Sequence, residues 1–158
     1  MHTRNPTEGI GTVMQPGGSL PASPGRPPFS GALEVVRGIY RAFSHGDVPR
    51  VLGVLHPDVE WIPSPGHPFG GPFRGPEQVL ERVFMRLVSE WDEFRAQPEE
   101  FLTSDRNVVV LGSYLGTSRA TGRELSAPFA HVWRVDRGRV TGFRQITDTH
   151  LVRVAMGI

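Results

Sequence analysis

Apolar side chains fall at residues 33, 36, 40 and 43, with Val35 and Ile39 widening the stripe, and this three-to-four spacing predicts a helix that the His45-Gly46 pair closes. Asp47 then stands where an N-cap belongs, Pro49 suits a first turn, and Val51, Leu52 and Leu55 supply a short second helix that Pro57 stops. Val59, Glu60, Trp61 and Ile62 read as a brief strand, while "PSPGHPFGGPFRG" matches neither period and is expected as a loop. From Pro76 the residues Val79, Leu80, Val83, Phe84, Leu87 and Val88 form a wide apolar face, so a third helix should run to about Glu90.

Beyond that point the period changes to two. Strands are expected over residues 94–103, interrupted near Pro98, then over 107–118, 125–135 and 139–148, with Asp136-Arg137-Gly138 turning the last pair. Alternation puts Phe129, His131, Trp133 and Val135 on one face, with Phe143, Gln145 and Thr147 on the matching face of the last strand and Val110, Gly112 and Tyr114 on the strand before. Asp148 falls out of that phase and is expected to be structural, capping the C-terminal segment. Val109, Leu111, Val132 and Ile146 point the other way. Helices followed by an antiparallel meander predict an α+β domain with its helices on one face of the sheet.

Composition narrows the class. At 158 residues one domain is expected. Residues 1–31 hold six prolines and six glycines with few apolar side chains, so they are expected to be a disordered tail ahead of a domain spanning 32–158, and Met14 is an alternative start. Seventeen Lys and Arg against sixteen Asp and Glu leave a net charge of +1, which calls for neither nucleic acid nor an anionic membrane. Cysteine is absent, and no apolar run reaches the roughly 18 residues of a membrane helix, so a cytoplasmic protein is expected. Six histidines contain no H-x-H or H-E-x-x-H pair, so no metal is expected; "GTSRATGREL" lacks the context of a phosphate loop, and no cofactor is expected either.

Three blocks carry a family resemblance: "VVRGIYRAFSHGDVPRVLGVLHPDVEW", "FRGPEQVLERVF" and "APFAHVWRVDRGRVTGFRQITDT". In this order they resemble the SnoaL-like family of the nuclear transport factor 2-like superfamily, over nearly all of residues 32–150. The resemblance implies a cone-shaped, cystatin-like fold in which three N-terminal helices pack on a strongly curved antiparallel sheet around a mostly apolar pocket. It does not fix an activity, because that superfamily includes polyketide cyclases, ketosteroid isomerases, limonene epoxide hydrolases, a dehydratase, transport factors and binding modules. The position of His131 resembles one that carries an oxyanion-binding carboxylic acid in ketosteroid isomerases, and that of Trp61 resembles their proton-shuttling aspartate. Tyr114 and Gln145 resemble in position two aspartates of limonene epoxide hydrolases, with Gly112 in place of the arginine between them. The replacements disfavour both of those mechanisms, since neither an indole nor a glutamine takes up a proton at neutral pH.

The candidate chemistry therefore rests on His131 as acid or base, with Tyr114 and Gln145 polarising an oxygen. Tyr40, Trp61, Phe73, Phe129, Trp133 and Phe143 are expected to grip a ligand, Gly112 to leave room beside the imidazole, and His67 to border the mouth on its loop. Plainer readings stand beside these. His131 would be a core histidine satisfied by a neighbouring side chain and a water, Tyr114 and Trp61 packing residues, and His67 exposed and inert. The leading expectation is a cofactor-independent isomerase, cyclase or lyase acting on a small apolar carbonyl or polycyclic compound. The alternatives are a noncatalytic small-molecule binding or accessory protein and, more weakly, a scaffold with a filled interior. A homodimer through the outer sheet face is expected, since an apolar stripe there is costly in a monomer.

Overall fold

The computed structural model describes residues 29–158; the expected tail up to residue 28, with Met14, lies outside them. Helix α1 spans Phe29–Ser44, so residues 29–31 are helical and not part of a tail. Helix α2 spans Val48–Gly53, capped as expected by Asp47, whose carboxylate accepts the Arg50 backbone N–H at 3.1 Å. Leu55 departs from expectation. It opens strand β1 (Leu55–Ile62), which runs through Pro57, because parallel pairing with the last strand places Leu55 opposite Val140 and outweighs the local helical pattern. Two residues of the expected loop form β2 (Phe73–Arg74), antiparallel to β1.

The third helical run covers the expected span in three pieces: α3 (Gly75–Val79), a π-helical turn (Leu80–Phe84) and α4 (Met85–Glu90). One added residue in the π turn rotates the following side chains about the axis, a device that recurs where a helix must aim side chains at a site. Strands β3 (Trp91–Ser104), β4 (Asn107–Ser118), β5 (Glu124–Asp136) and β6 (Arg139–Thr147) make the meander. Arg137 and Gly138, both at positive φ, close the β5–β6 hairpin, as a tight turn between right-twisted strands requires. Asp148 caps a further helix that the sequence pattern had not revealed, α5 (Thr149–Met156), by accepting the Leu151 N–H at 3.1 Å.

The sheet order is β2-β1-β6-β5-β4-β3, antiparallel throughout except for the β1–β6 pair. Its inner face follows the expected alternation: Val108, Val110 and Tyr114 of β4, and Leu125, Ala127, Phe129, His131, Trp133 and Val135 of β5, are buried. Bulges reset the phase where a strand must bend. Between Pro98 and Glu100 the register with β4 shifts, and Phe101 takes over the covered face from Phe94, Ala96 and Pro98. Helix α1 packs on β3, β4 and β5, α3 on β1, and α5 on β4 and β5. No helix among the described residues is long and apolar enough to cross a membrane.

Gly112 is where the curved face closes on itself. A Cβ there would lie 2.2 Å from the Gln97 carbonyl oxygen and 2.5 Å from Phe129 Cζ. The room expected beside the imidazole is thus taken by the Phe129 ring and a neighbouring backbone. Gly142→Ala serves as a control, because its Cβ would meet only the Arg134 Cβ at 3.7 Å. Gly112→Ala is expected to lower the unfolding free energy by at least the ~1–3 kcal/mol typical of overpacking, and Gly142→Ala to leave it nearly unchanged. Denaturant unfolding of the two variants checks this, and equal stability would contradict it.

Candidate functional site

Between the inner sheet face and the helices lies a cavity of about 80 Å³. Ile39, Tyr40 and Phe43 of α1 form one wall; Val83, Phe84 and Leu87, placed by the π turn and α4, form another. Trp91, Phe94 and Ala96 of β3, Trp61 of β1, Trp133 of β5, Phe143 of β6 and Val152 of α5 are among the other apolar residues of the lining. Among the described residues no Asp, Glu, Lys or Arg contributes to it.

Apart from His67, the polar side chains of this wall form one hydrogen-bonded row centred on His131, itself buried. Its Nδ1 is bonded to the Tyr40 hydroxyl at 2.6 Å, and its Nε2 to the Tyr114 hydroxyl. Trp133 Nε1–H donates to the Tyr40 oxygen at 3.0 Å, and Gln145 Nε2–H donates to the Tyr114 oxygen at 2.8 Å. The Gln145 amide is held in that sense by Ser64, whose backbone N–H donates to Oε1 at 3.2 Å. The Ser64 hydroxyl also donates to the Gln145 carbonyl at 3.0 Å and accepts the Thr147 N–H at 2.8 Å, which ties the loop after β1 to β6. Among the described residues no fully buried side-chain nitrogen or oxygen lacks a partner.

Aromatic rings fix the imidazole plane. Phe129 stacks on it with centroids 3.9 Å apart and planes at 12°, and Phe143 meets it edge-on at 4.9 Å. Trp61 stacks on Phe143 at 3.9 Å and meets Trp133 edge to face at 5.7 Å. The electrostatics follow from this burial. Removal from water pushes the His131 imidazole down to about 3, so the ring is neutral at ordinary pH. Burial likewise holds the Tyr40 and Tyr114 phenols far above their usual range, although the Trp133 and Gln145 hydrogen bonds pull them partly back.

The structure thus brings together Tyr40, Trp61, His67, Tyr114, His131, Trp133, Phe143 and Gln145 of the expected set. Gly112, Phe129 and Phe73 do not line the cavity. Phe129 stands behind the imidazole, filling the space at Gly112, and Phe73 pairs with Trp61 at the sheet edge. His131 offers no free nitrogen, so any acid or base role must pass through a tyrosine. His67 does border the cavity, but its loop is fastened: His67 Nδ1 accepts the Phe69 N–H at 3.1 Å, and Arg153 donates to the Gly66 carbonyl at 3.3 Å. Burial, and then the nearby Arg86 charge, lower the His67 imidazole to about 4.

Ser64 and the partnership of Tyr40 with His131 were not foreseen. Ser64 carries no local signal inside its proline-rich loop, and Tyr40 lies 91 residues from His131. Phe84 and Leu87 were legible as members of the third helix's apolar face. Among the described residues no three His, Asp or Glu side chains cluster as a metal site would require.

A family model described as the SnoaL-like domain matches residues 36–143. No curated protein matches the chain. An NTF2-like protein from Burkholderia thailandensis E264 is 34% identical with a TM-score of 0.77, over 79% of this chain and 96% of that one. An NTF2-like protein of unknown function from Burkholderia pseudomallei K96243 is 32% identical with a TM-score of 0.75, over 81% and 98%. TerC, co-crystallised with polyporic acid, is 27% identical with a TM-score of 0.74, over 81% and 99%.

Proposed function

The chain belongs to the SnoaL-like domain family and has its NTF2-like fold, and from that premise we propose that its interior cavity takes a small, largely apolar molecule bearing a carbonyl or similar oxygen. On that molecule it acts as a cofactor-independent isomerase, cyclase or lyase, by proton transfer. What supports the reading is one juxtaposition: the aromatic and aliphatic lining is broken by a row of hydroxyl, imidazole and amide groups, with Tyr40 and Tyr114 both at the cavity wall. Phenols in a dry site polarise a ligand oxygen more strongly than water does. The free space is smaller than the roughly 150 Å³ that admits benzene in an apolar cavity. Ligand entry therefore displaces wall side chains, and a one- or two-ring molecule fits this reading better than a large polycycle.

A second reading, a noncatalytic binding or accessory protein, is favoured by the lack of any carboxylate in the lining and by the capping of both His131 nitrogens. Calorimetry with 2-indanone and with 2-methyleneindane, its isostere lacking the oxygen, tests the common part of both readings. The ketone should bind about tenfold tighter, the worth of one net hydrogen bond. Equal affinities, or no binding of either, would contradict it. Turnover of a bound compound separates the enzyme from the binding protein.

We propose further that a second copy covers the outer sheet face. Register aligns Leu102, Val109 and Val132 in one cross-strand row and Leu111, Ala130 and Ile146 in the next, with Leu102 48% and Ile146 54% exposed in the single chain. Sedimentation should give a dimer for the native protein and a monomer for Leu102→Asp/Ile146→Asp. A monomeric native protein would refute this.

A further inference from the structure

The hydrogens of the buried row do not balance, and the imbalance has a chemical use. Trp133 Nε1 can only donate, and the Gln145 amide is oriented by Ser64 so that its nitrogen faces Tyr114; each phenolic oxygen therefore already accepts one hydrogen from outside the triad. Inside the triad two hydrogen bonds have to be made, Tyr40 to Nδ1 and Tyr114 to Nε2. Three hydrogens are available for them: one on each phenol and one on the neutral imidazole. One hydrogen is left over. If Nε2 carries the imidazole hydrogen, Tyr40 donates to Nδ1, Tyr114 accepts, and the Tyr114 O–H is free. If Nδ1 carries it, Tyr114 donates, Tyr40 accepts, and the Tyr40 O–H is free. Both hydroxyls belong to residues that line the cavity.

Passing from one arrangement to the other is a proton transfer through the row. We propose that Tyr40, His131 and Tyr114 form a charge-neutral relay that takes a hydrogen from a bound ligand at one tyrosine and returns one to the same ligand at the other, with the His131 tautomer reversing at each passage. This rests on the reading of the cavity as a ligand site. For a ketone placed with its oxygen at Tyr114, the carbon–hydrogen bond next to the carbonyl breaks and that hydrogen joins the Tyr40 oxygen. The hydrogen already on Tyr40 moves to Nδ1, the Nε2 hydrogen moves to the Tyr114 oxygen, and the former Tyr114 hydrogen forms the O–H of the enol. The C–H electron pair becomes the enol double bond. Atoms and charge balance, and neither a phenolate nor an imidazolium is formed at rest.

The relay accounts for a lining with no carboxylate and no free base. The Tyr40 oxygen is the proton acceptor, and because it passes its own hydrogen to Nδ1 in the same step, no carboxylate is needed to hold the charge. It also narrows the substrate class to compounds carrying a removable hydrogen and an oxygen acceptor within one small molecule, as keto–enol pairs do. His67 does not compete for the base role, because its Nδ1 is already taken by the Phe69 N–H.

The test is uptake of solvent deuterium at the carbons flanking the carbonyl of 2-indanone, followed by NMR together with binding by calorimetry. The native protein should catalyse uptake. Tyr40→Phe and Tyr114→Phe should each slow it about a hundredfold or more while the ketone still binds, since general acid–base groups contribute on that scale. His131→Gln supplies one donor and one acceptor to the two phenols but cannot pass a proton between them, so it should lower kcat for exchange with KM changed by less than about threefold. In the native protein, ¹⁵N spectra should show His131 with one protonated and one bare nitrogen. Binding without exchange, native rates in either phenylalanine variant or in His131→Gln, or a doubly protonated ring would overturn the relay and leave the binding reading standing. If 2-indanone does not bind at all, the reading of the cavity fails and the relay falls with it.

Discussion

An imidazole held between two phenols in the buried interior is the constraint on which the rest of the structure depends. A buried polar group without partners destabilises a fold by several kcal/mol, and His131 escapes that penalty only because Tyr40 and Tyr114 reach it from opposite sides. Tyr40 comes from α1 and Tyr114 from β4, so helix and sheet must sit at one separation and one angle for both bonds to form. Trp133, Gln145 and Ser64 extend the same requirement to β5, β6 and the loop after β1. Among the described residues every fully buried side-chain nitrogen and oxygen has at least one partner, and a network so connected ties helix, strands and loop to one packing arrangement whichever way its hydrogens point.

The apolar surroundings follow from that centre. Phe129 stacks on one face of the imidazole and can do so because position 112 has no side chain. Phe143, Trp61 and Trp133 interlock beyond it, which keeps water away from the row and holds all three of its titratable groups in their neutral forms. Neutrality is what distinguishes this site from acid–base sites built on carboxylates. Such a wall has hydrogen-bond donors and a path for a hydrogen, but no fixed charge.

Much of this was legible in the sequence. Strict alternation from Phe129 to Val135 marked the inner face of β5, and the same period carried correctly to Tyr114, Phe143 and Gln145, because a one-residue slip would have turned an aromatic face to solvent. Local pattern failed where pairing or long-range contact decided the outcome. Leu55 reads as the end of a helix but is drawn into a parallel pair with β6, and α5 is stabilised by packing on β4 and β5 and is too short to announce itself. Gly112 was seen to be special, yet whether its missing side chain left a hollow or a place for Phe129 depended on a neighbouring strand. Tyr40 was placed at the wall, while its bond to His131 spans 91 residues and has no local signature.

His131 is neutral because both nitrogens are sealed between phenols in an apolar interior. An NMR titration of its ring resonances, with the fold monitored in the same samples, tests this most directly. The ring should show no protonation from about pH 8 down to about pH 4.5, consistent with a value lowered to about 3. A midpoint near 6.5, the ordinary value for an exposed imidazole, would contradict it.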